Sequence, residues 1–169
     1  MESQNTSMAP TGAGPAVETI RSESFRPAPS RILVVDDHEL VRIGIRSVLE
    51  TAGEARLQML EAANLHDAMD LYRNEPHISL VLLDLNMPDC RGLHGLKQFI
   101  EAFPRARVAV LSGTQDEFVV GQVRALGAIG YVTKGQAPKV MADFVLGLIR
   151  ADAEAAAGGQ GILPTGRCP

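Results

Sequence analysis

The sequence predicts an α/β domain built on a parallel five-stranded sheet, and three features carry that prediction. Short apolar runs alternate with stretches of helical periodicity from Arg31 to Arg150. The runs are apolar throughout, without the alternation of a half-solvated sheet, so both of their faces are expected to be covered by helices. Charged and hydroxyl residues stand directly after these runs, at the sheet edge where ligands of α/β domains gather.

The first run, "RILVV", is rich in β-branched residues and ends in Asp36 and Asp37. Val41, Ile45, Val48 and Leu49 then recur at helical spacing, with Arg42, Arg46 and Glu50 opposite, which predicts an amphipathic helix over 38–51. "LQML" is the second strand, followed by a helix over 64–74 in which Asn64 has the chemistry of an N-cap. "ISLVLL" is the third strand, with its helix over 93–103. Between them lies "DLNMPDCRGL", a loop in which Pro88 fixes one dihedral, Gly92 permits a conformation or close approach that other residues resist, and Met87 packs beneath. "RVAVLS" is the fourth strand, and its helix over 115–126 places Phe118, Val119 and Val123 mainly on the core side. "AIGYVT" is the fifth, and Pro138 suits the first turn of the last helix, over 137–150.

Outside this alternation the texture changes. Residues 1–30, with Pro10, Pro15, Pro27, Pro29, Gly12 and Gly14, offer too little apolar surface to offset the entropy of ordering them, and are expected to form a disordered arm. The domain spans 31–152. The tail over 153–169 begins as a helix end and then dissolves into Gly and Pro, as a linker does.

At 169 residues the chain suits one domain with a full core. Hydrophobic residues at 46%, charged residues at 21% and a net charge of -4 fit a soluble globular protein and not a general nucleic-acid binder. Neither a membrane span nor a signal peptide is indicated, which makes the cytoplasm the expected location. Cys90 and Cys168 cannot make a disulfide framework, no Cys/His cluster has zinc spacing, and Cys90 is expected to be a spectator thiol in a loop.

The residues at the strand ends form a constellation from distant segments. Asp36 and Asp37 follow the first strand, Asp84 the third, Ser112 the fourth and Lys134 the fifth. Each alone would be a cap, a turn hydroxyl or a solvated charge; their convergence is what points to a site. Two carboxylates about 4 Å apart repel by roughly 4 kcal/mol at an effective dielectric near 20, a pKa rise of about three units. A pocket meant to keep its acids ionised therefore needs compensating positive charge, which Lys134 and a hard divalent cation would supply, magnesium best of all. Such a pocket welcomes an incoming dianion, and the chemistry it implies is phosphoryl transfer. Asp84 stands alone on the central strand and is the nucleophile candidate, whereas Asp36 and Asp37 form a pair suited to a cation. His38, beside the pair, is read as a helix-start residue in preference to a metal ligand; His66, His77 and His94 are scattered and carry no mechanism.

"VVDDHELVRIGIRSVL", "VLLDLNMPDCRGL", "VAVLSG" and "GAIGYVTKG" resemble the receiver domain of two-component response regulators, over about 120 residues from Arg31 to Arg150. The resemblance implies a flavodoxin-like (βα)5 fold with strand order 2-1-3-4-5. It implies that Asp84 takes a phosphoryl group from a sensor histidine kinase, and that Asp36, Asp37, Asp84 and the backbone carbonyl of Asn86 hold magnesium. Ser112 and Lys134 would bind phosphoryl oxygens, and Tyr131 would follow the movement of Ser112. The output face would be the fourth helix, fifth strand and fifth helix, through which a homodimer could also form. Gly113 departs from the alanine, and Gly135 from the proline, found in many relatives. "DDHELVR" and "DLNMP" look most like regulators of the NarL/LuxR type, so transcription is the expected output, through a C-terminal helix-turn-helix that this chain is expected to lack. The chain itself would bind no nucleic acid and no membrane.

Two other classes are weighed against this reading. A magnesium-dependent phosphohydrolase of the haloacid dehalogenase type needs an Asp-x-Asp motif after the first strand, where this sequence has "DDH". A pseudo-receiver, a binding platform without phosphorylation, sits badly with the intact acids and Lys134. Only slow self-hydrolysis of the acyl phosphate is expected, so the chain is read as a signalling module and not primarily as an enzyme.

Overall fold

The computed structural model of the chain describes residues 30–51 and 57–158, with side chains as far as Ala151. The expected disordered arm, apart from Ser30, and the tail beyond Gly158 lie outside the described residues. The elements are β1 (Ser30–Val35), α1 (Glu39–Thr51), β2 (Leu57–Ala62), α2 (Leu65–Asn74), β3 (Ile78–Asp84), β4 (Asn86–Met87), β5 (Cys90–Arg91), α3 (Leu93–Ala102), β6 (Val108–Ser112), α4 (Glu117–Ala125), β7 (Gly130–Thr133) and α5 (Pro138–Gly158). The main sheet has the order β2-β1-β3-β6-β7, all neighbours parallel. With the small β4–β5 ribbon set aside, this is the anticipated 2-1-3-4-5 order.

Because successive strand residues point to opposite faces, one continuous apolar run feeds two cores. Leu33, Val35, Val81, Leu83, Val108 and Val110 face α2, α3 and α4, where they meet Leu65, Ala68, Leu96, Phe99 and Val123. Ile32, Val34, Leu80, Leu82, Ala109 and Leu111 face α1 and α5, against Ile45, Leu49, Met141, Val145 and Leu146. Each large side chain so buried contributes roughly 1.5–3 kcal/mol, so the two layers hold the sheet from both sides. Tyr72, Phe99 and Phe103 form an aromatic trio at the first core, with centroids 4.7 to 5.4 Å apart, Tyr72 edge-on to Phe99 and the other two pairs tilted. Among the described residues, no helix is long and apolar enough to cross a membrane.

Local chemistry places the element ends. Asn64 caps α2, its side chain accepting from the Asp67 N–H at 2.8 Å, and Pro138 is the first residue of α5. Gly92 adopts φ +64°, the left-handed region, with open space around its missing Cβ; conformation, not close approach, is what requires it.

The structure differs from expectation at four points. The loop after β3 contains the antiparallel β4–β5 ribbon, in which Met87 is buried as anticipated and Cys90 is a buried strand residue instead of a loop thiol. α4 begins at Glu117, after an Asp116 cap, because the Asp116 carboxylate accepts from the Phe118 N–H at 2.8 Å. Phe118 is 73% exposed, while Val123 is fully buried; the apolar stripe of α4 is narrower than its spacing suggests. α5 continues to Gly158, since "ADAEAAA" is composed largely of strong helix formers.

The α3–β5 contact is tight at Gly95, where a Cβ would lie 2.4 Å from Cys90 Sγ and 3.0 Å from Cys90 Cβ. Gly95→Ala is expected to cost about 1–3 kcal/mol in urea unfolding. Adding Cys90→Ala removes the sulfur and should recover part of that loss, giving a coupling above about 0.5 kcal/mol. Strictly additive losses would contradict the contact.

Candidate functional site

The strand registers determine what meets at the carboxyl edge of the sheet. A shift between Arg31 and Ile32 aligns Val35 with Leu83, so the residues that follow β1 lie beside the end of β3. Asp84 in turn aligns with Leu111, and Ser112 with Thr133. Asp36, Asp84, Ser112 and Lys134 are thereby brought together from four segments, and Lys134 N donates to Ser112 O at 2.8 Å.

Asp36 and Asp84 are buried at 0% and 1% exposure, and Lys134 Nζ stands between them, 2.7 Å from Asp36 Oδ2 and 2.8 Å from Asp84 Oδ2. Burial alone would lower the ammonium's pKa; direct contact with the two carboxylates outweighs it and holds Lys134 above its ordinary value. The contact is an ion pair without a well-angled hydrogen bond: among the described residues, Asp36 Oδ2, Asp37 Oδ1 and Asp84 Oδ2 are buried atoms with no hydrogen-bond partner. Three carboxylates against one ammonium leave the pocket with an excess of two negative charges.

The other oxygens are held by backbone. Asp36 Oδ1 accepts from the His38 N–H at 2.9 Å, and Asp84 Oδ1 from the Asn86 N–H at 3.2 Å. Asp36 N donates to Ala62 O at 3.1 Å, tying the acid to β2. Ser112 is buried, its Oγ accepting from Thr114 N at 3.3 Å, and the half-buried Tyr131 donates its hydroxyl to Thr114 O at 2.5 Å. Ser112 and Tyr131 thus engage the same β6–α4 loop. Asn86 is exposed on β4. His38 is not a bystander: its Nδ1 lies 2.9 Å from Asp37 Oδ1 and 3.3 Å from Asp36 Oδ1.

One ligand atom from each of Asp36, Asp37, His38 and Asp84 lies within 4.8 Å of the others, so the cluster could hold a metal ion. Buried hard oxygens that make no hydrogen bond among the described residues, three carboxylates to one ammonium, suit a divalent cation that takes carboxylates. Two supporting residues escaped the sequence reading. Arg42 donates to Asp36 O at 2.6 Å and to Glu61 Oε2 at 3.1 Å, while Arg46 also pairs with Glu61, so the acid-bearing turn is braced from α1 and β2. Asp89 Oδ2 accepts from Leu65 N at 2.7 Å, linking the β4–β5 turn to the start of α2. Glu61 lies nineteen residues from Arg42 and Leu65 twenty-four from Asp89, which is why spacing gave no signal.

Comparison with known proteins agrees with this geometry. A family model, the response regulator receiver domain, matches residues 32–145. The glycerol metabolism activator of Pseudomonas putida is 37% identical over 115 residues, covering 68% of this chain and 52% of that protein. The response regulator UvrY of Escherichia coli is 33% identical over 108 residues, covering 64% and 49% respectively. The chain spans about half the length of the curated relatives it matches. Among solved structures, a LuxR-family two-component response regulator from Aurantimonas sp. SI85-9A1 is similar at TM-score 0.64 and 26% identity, covering 79% of this chain and 99% of that one. A CheY-like receiver domain protein from Methanospirillum hungatei shares the fold at TM-score 0.66 and 21% identity, covering 76% and 99%.

Removing the ammonium tests the electrostatics. Lys134→Met leaves two facing buried carboxylates and should cost about 3–5 kcal/mol in metal-free urea unfolding, partly recovered by adding Asp84→Asn. A loss below about 1 kcal/mol would contradict the ion-pair account. Cys90 reports on the same field: burial, then the charges of Asp89 and Asp84, push its thiol up to about 11 from 9.0. A raised pKa means less thiolate at pH 8, so in a Cys168→Ser variant Cys90 should react with a disulfide reagent at least about a hundred-fold slower folded than urea-unfolded. Rates within about ten-fold of each other would contradict it.

Proposed function

This chain belongs to the response regulator receiver domain family, and on that premise we propose that Asp84 is its phosphoacceptor, charged by a sensor histidine kinase with magnesium in the adjoining acidic pocket. The observation that supports this most is the half-buried Lys134, its Nζ 2.7 Å from Asp36 and 2.8 Å from Asp84, at the carboxyl ends of β1, β3 and β7. A lysine so placed meets a phosphoryl group arriving on Asp84 without having to be brought in, which is the preorganisation that phosphoryl transfer uses.

A carboxylate oxygen of Asp84 attacks the phosphorus of the donor phosphohistidine; the P–O bond forms as the P–N bond breaks, and the imidazole leaves with the electron pair of that bond. The Asn86 N–H holds the other oxygen of Asp84 and so fixes the plane of the carboxylate. The Lys134 ammonium would neutralise charge on the transferred group, and the Ser112 hydroxyl would donate to it. Asp36, Asp37, Asp84 and the Asn86 backbone carbonyl would hold magnesium, which when bound supplies further charge neutralisation on the phosphoryl oxygens. The module is a signalling domain, and its own turnover would be limited to slow loss of the acyl phosphate.

Output follows from the loop that Ser112 and Tyr131 share. Drawing Ser112 towards a phosphoryl group perturbs the Thr114 carbonyl on which Tyr131 is bonded, and so shifts the conformational balance of the face made by α4, β7 and α5. Phe118, exposed on α4, gives that face an apolar contact point for a second copy or for an output domain. Relatives described as transcriptional regulators support transcription as the final output.

Incubating the chain with acetyl phosphate and magnesium should add one phosphoryl group by mass spectrometry. Asp84→Asn, or excess chelator, should abolish it. Uptake that persists in Asp84→Asn would overturn the assignment of the acceptor; no uptake by the wild-type chain would favour a pseudo-receiver.

A further inference from the structure

His38 lies at the lip of the acidic pocket, and its ring is turned into the acids although the side chain is 64% exposed. A solvent-facing histidine with no role has no reason to hold Nδ1 2.9 Å from one carboxylate and 3.3 Å from another. Its backbone contributes to the same anchoring, since the His38 N–H donates to Asp36 Oδ1 at 2.9 Å. The residue just before α1 is therefore tethered over the pocket by main chain and side chain together.

We propose that His38 makes this pocket a site for borderline divalent metals of the zinc class, with Nδ1 as a nitrogen ligand beside Asp36 and Asp37. The inference rests on the reading of the pocket as a cation site and adds the class of metal it takes. Zinc binds imidazole nitrogen and carboxylate oxygen at about 2.0–2.2 Å, which brings neighbouring ligand atoms to about 3–3.5 Å of each other. The atoms contributed by Asp36, Asp37, His38 and Asp84 already lie within 4.8 Å of one another, so closing around an ion needs only a small contraction. The buried oxygens Asp36 Oδ2 and Asp84 Oδ2 face the Lys134 ammonium and Asp37 Oδ1 faces His38 Nδ1, but none makes a hydrogen bond among the described residues, so an ion would compete with those contacts for their lone pairs.

The ligand set discriminates by chemistry. Magnesium takes oxygen, keeps its waters and gains nothing from an imidazole, whereas affinity for a mixed nitrogen and oxygen site rises along the transition series towards copper and stays high for zinc. His38 should therefore act on one class of ion and not the other. A zinc ion held by His38, Asp36 and Asp37 would occupy the carboxylates magnesium needs, so the two ions compete.

The test is calorimetric titration of the full chain with zinc alone and with magnesium alone. His38→Ala should weaken zinc by about ten-fold or more while leaving magnesium within about three-fold, on the scale by which altered ligand shells change metal affinity. Asp37→Asn should weaken both ions. His66→Ala, which removes the exposed His66–Asp70 pair, should weaken neither. Added zinc should shift the imidazole resonances of His38, and not those of His77 or His94. Retained magnesium affinity shows that the His38→Ala variant is folded. Zinc binding that is unchanged by His38→Ala, or a parallel loss of both ions, would overturn the inference. Failure of Asp84 to take up a phosphoryl group would remove the functional reading while a His38-dependent zinc site still stood.

Discussion

One ammonium held between two fully buried carboxylates sets the conditions for everything at the strand ends. Lys134 cannot be removed without leaving Asp36 and Asp84 facing each other in a medium that solvates neither, and it cannot by itself neutralise them and Asp37 together. The pocket is left wanting positive charge. On the proposed reading, that imbalance would make it receptive to a cation and then to a phosphoryl dianion.

The rest of the fold explains how such a pocket is tolerated. Two apolar layers clamp the parallel sheet, so the strand ends are fixed relative to one another by packing that the charged residues play no part in. The rim is then braced individually: Arg42 and Glu61 secure the turn that carries Asp36, Asn86 orients Asp84, and Asp89 ties the following ribbon to α2. In the β6–α4 loop, Ser112 and Tyr131 converge on Thr114.

Most of this was legible in the sequence because the signals are local. Each of Asp36, Asp84, Ser112 and Lys134 follows an apolar run directly, and in a parallel sheet that position alone assigns a residue to the ligand-binding edge. Tertiary partnerships were not legible. Arg42 read as a solvent-side residue of an amphipathic helix because its partner Glu61 lies nineteen residues away, on another strand. The β4–β5 ribbon has two residues per strand, too few for any period to show, and its register buries a cysteine that composition places in a loop. His38, expected to begin a helix, stands one residue before α1, and chain position does not reveal where a ring points. α5 outran its expected end because the glycines at its close are preceded by an alanine run strong enough to carry the helix through.

The central claim is that the acidic pocket wants positive charge beyond what Lys134 supplies and takes it from a divalent cation. Urea unfolding of the wild-type chain across a magnesium series tests it most directly. Stability should climb with the logarithm of magnesium concentration once the site fills, as binding to the folded state alone demands. A midpoint that does not move with magnesium would contradict the account, for it would mean that the gathered acids need nothing the chain does not already provide.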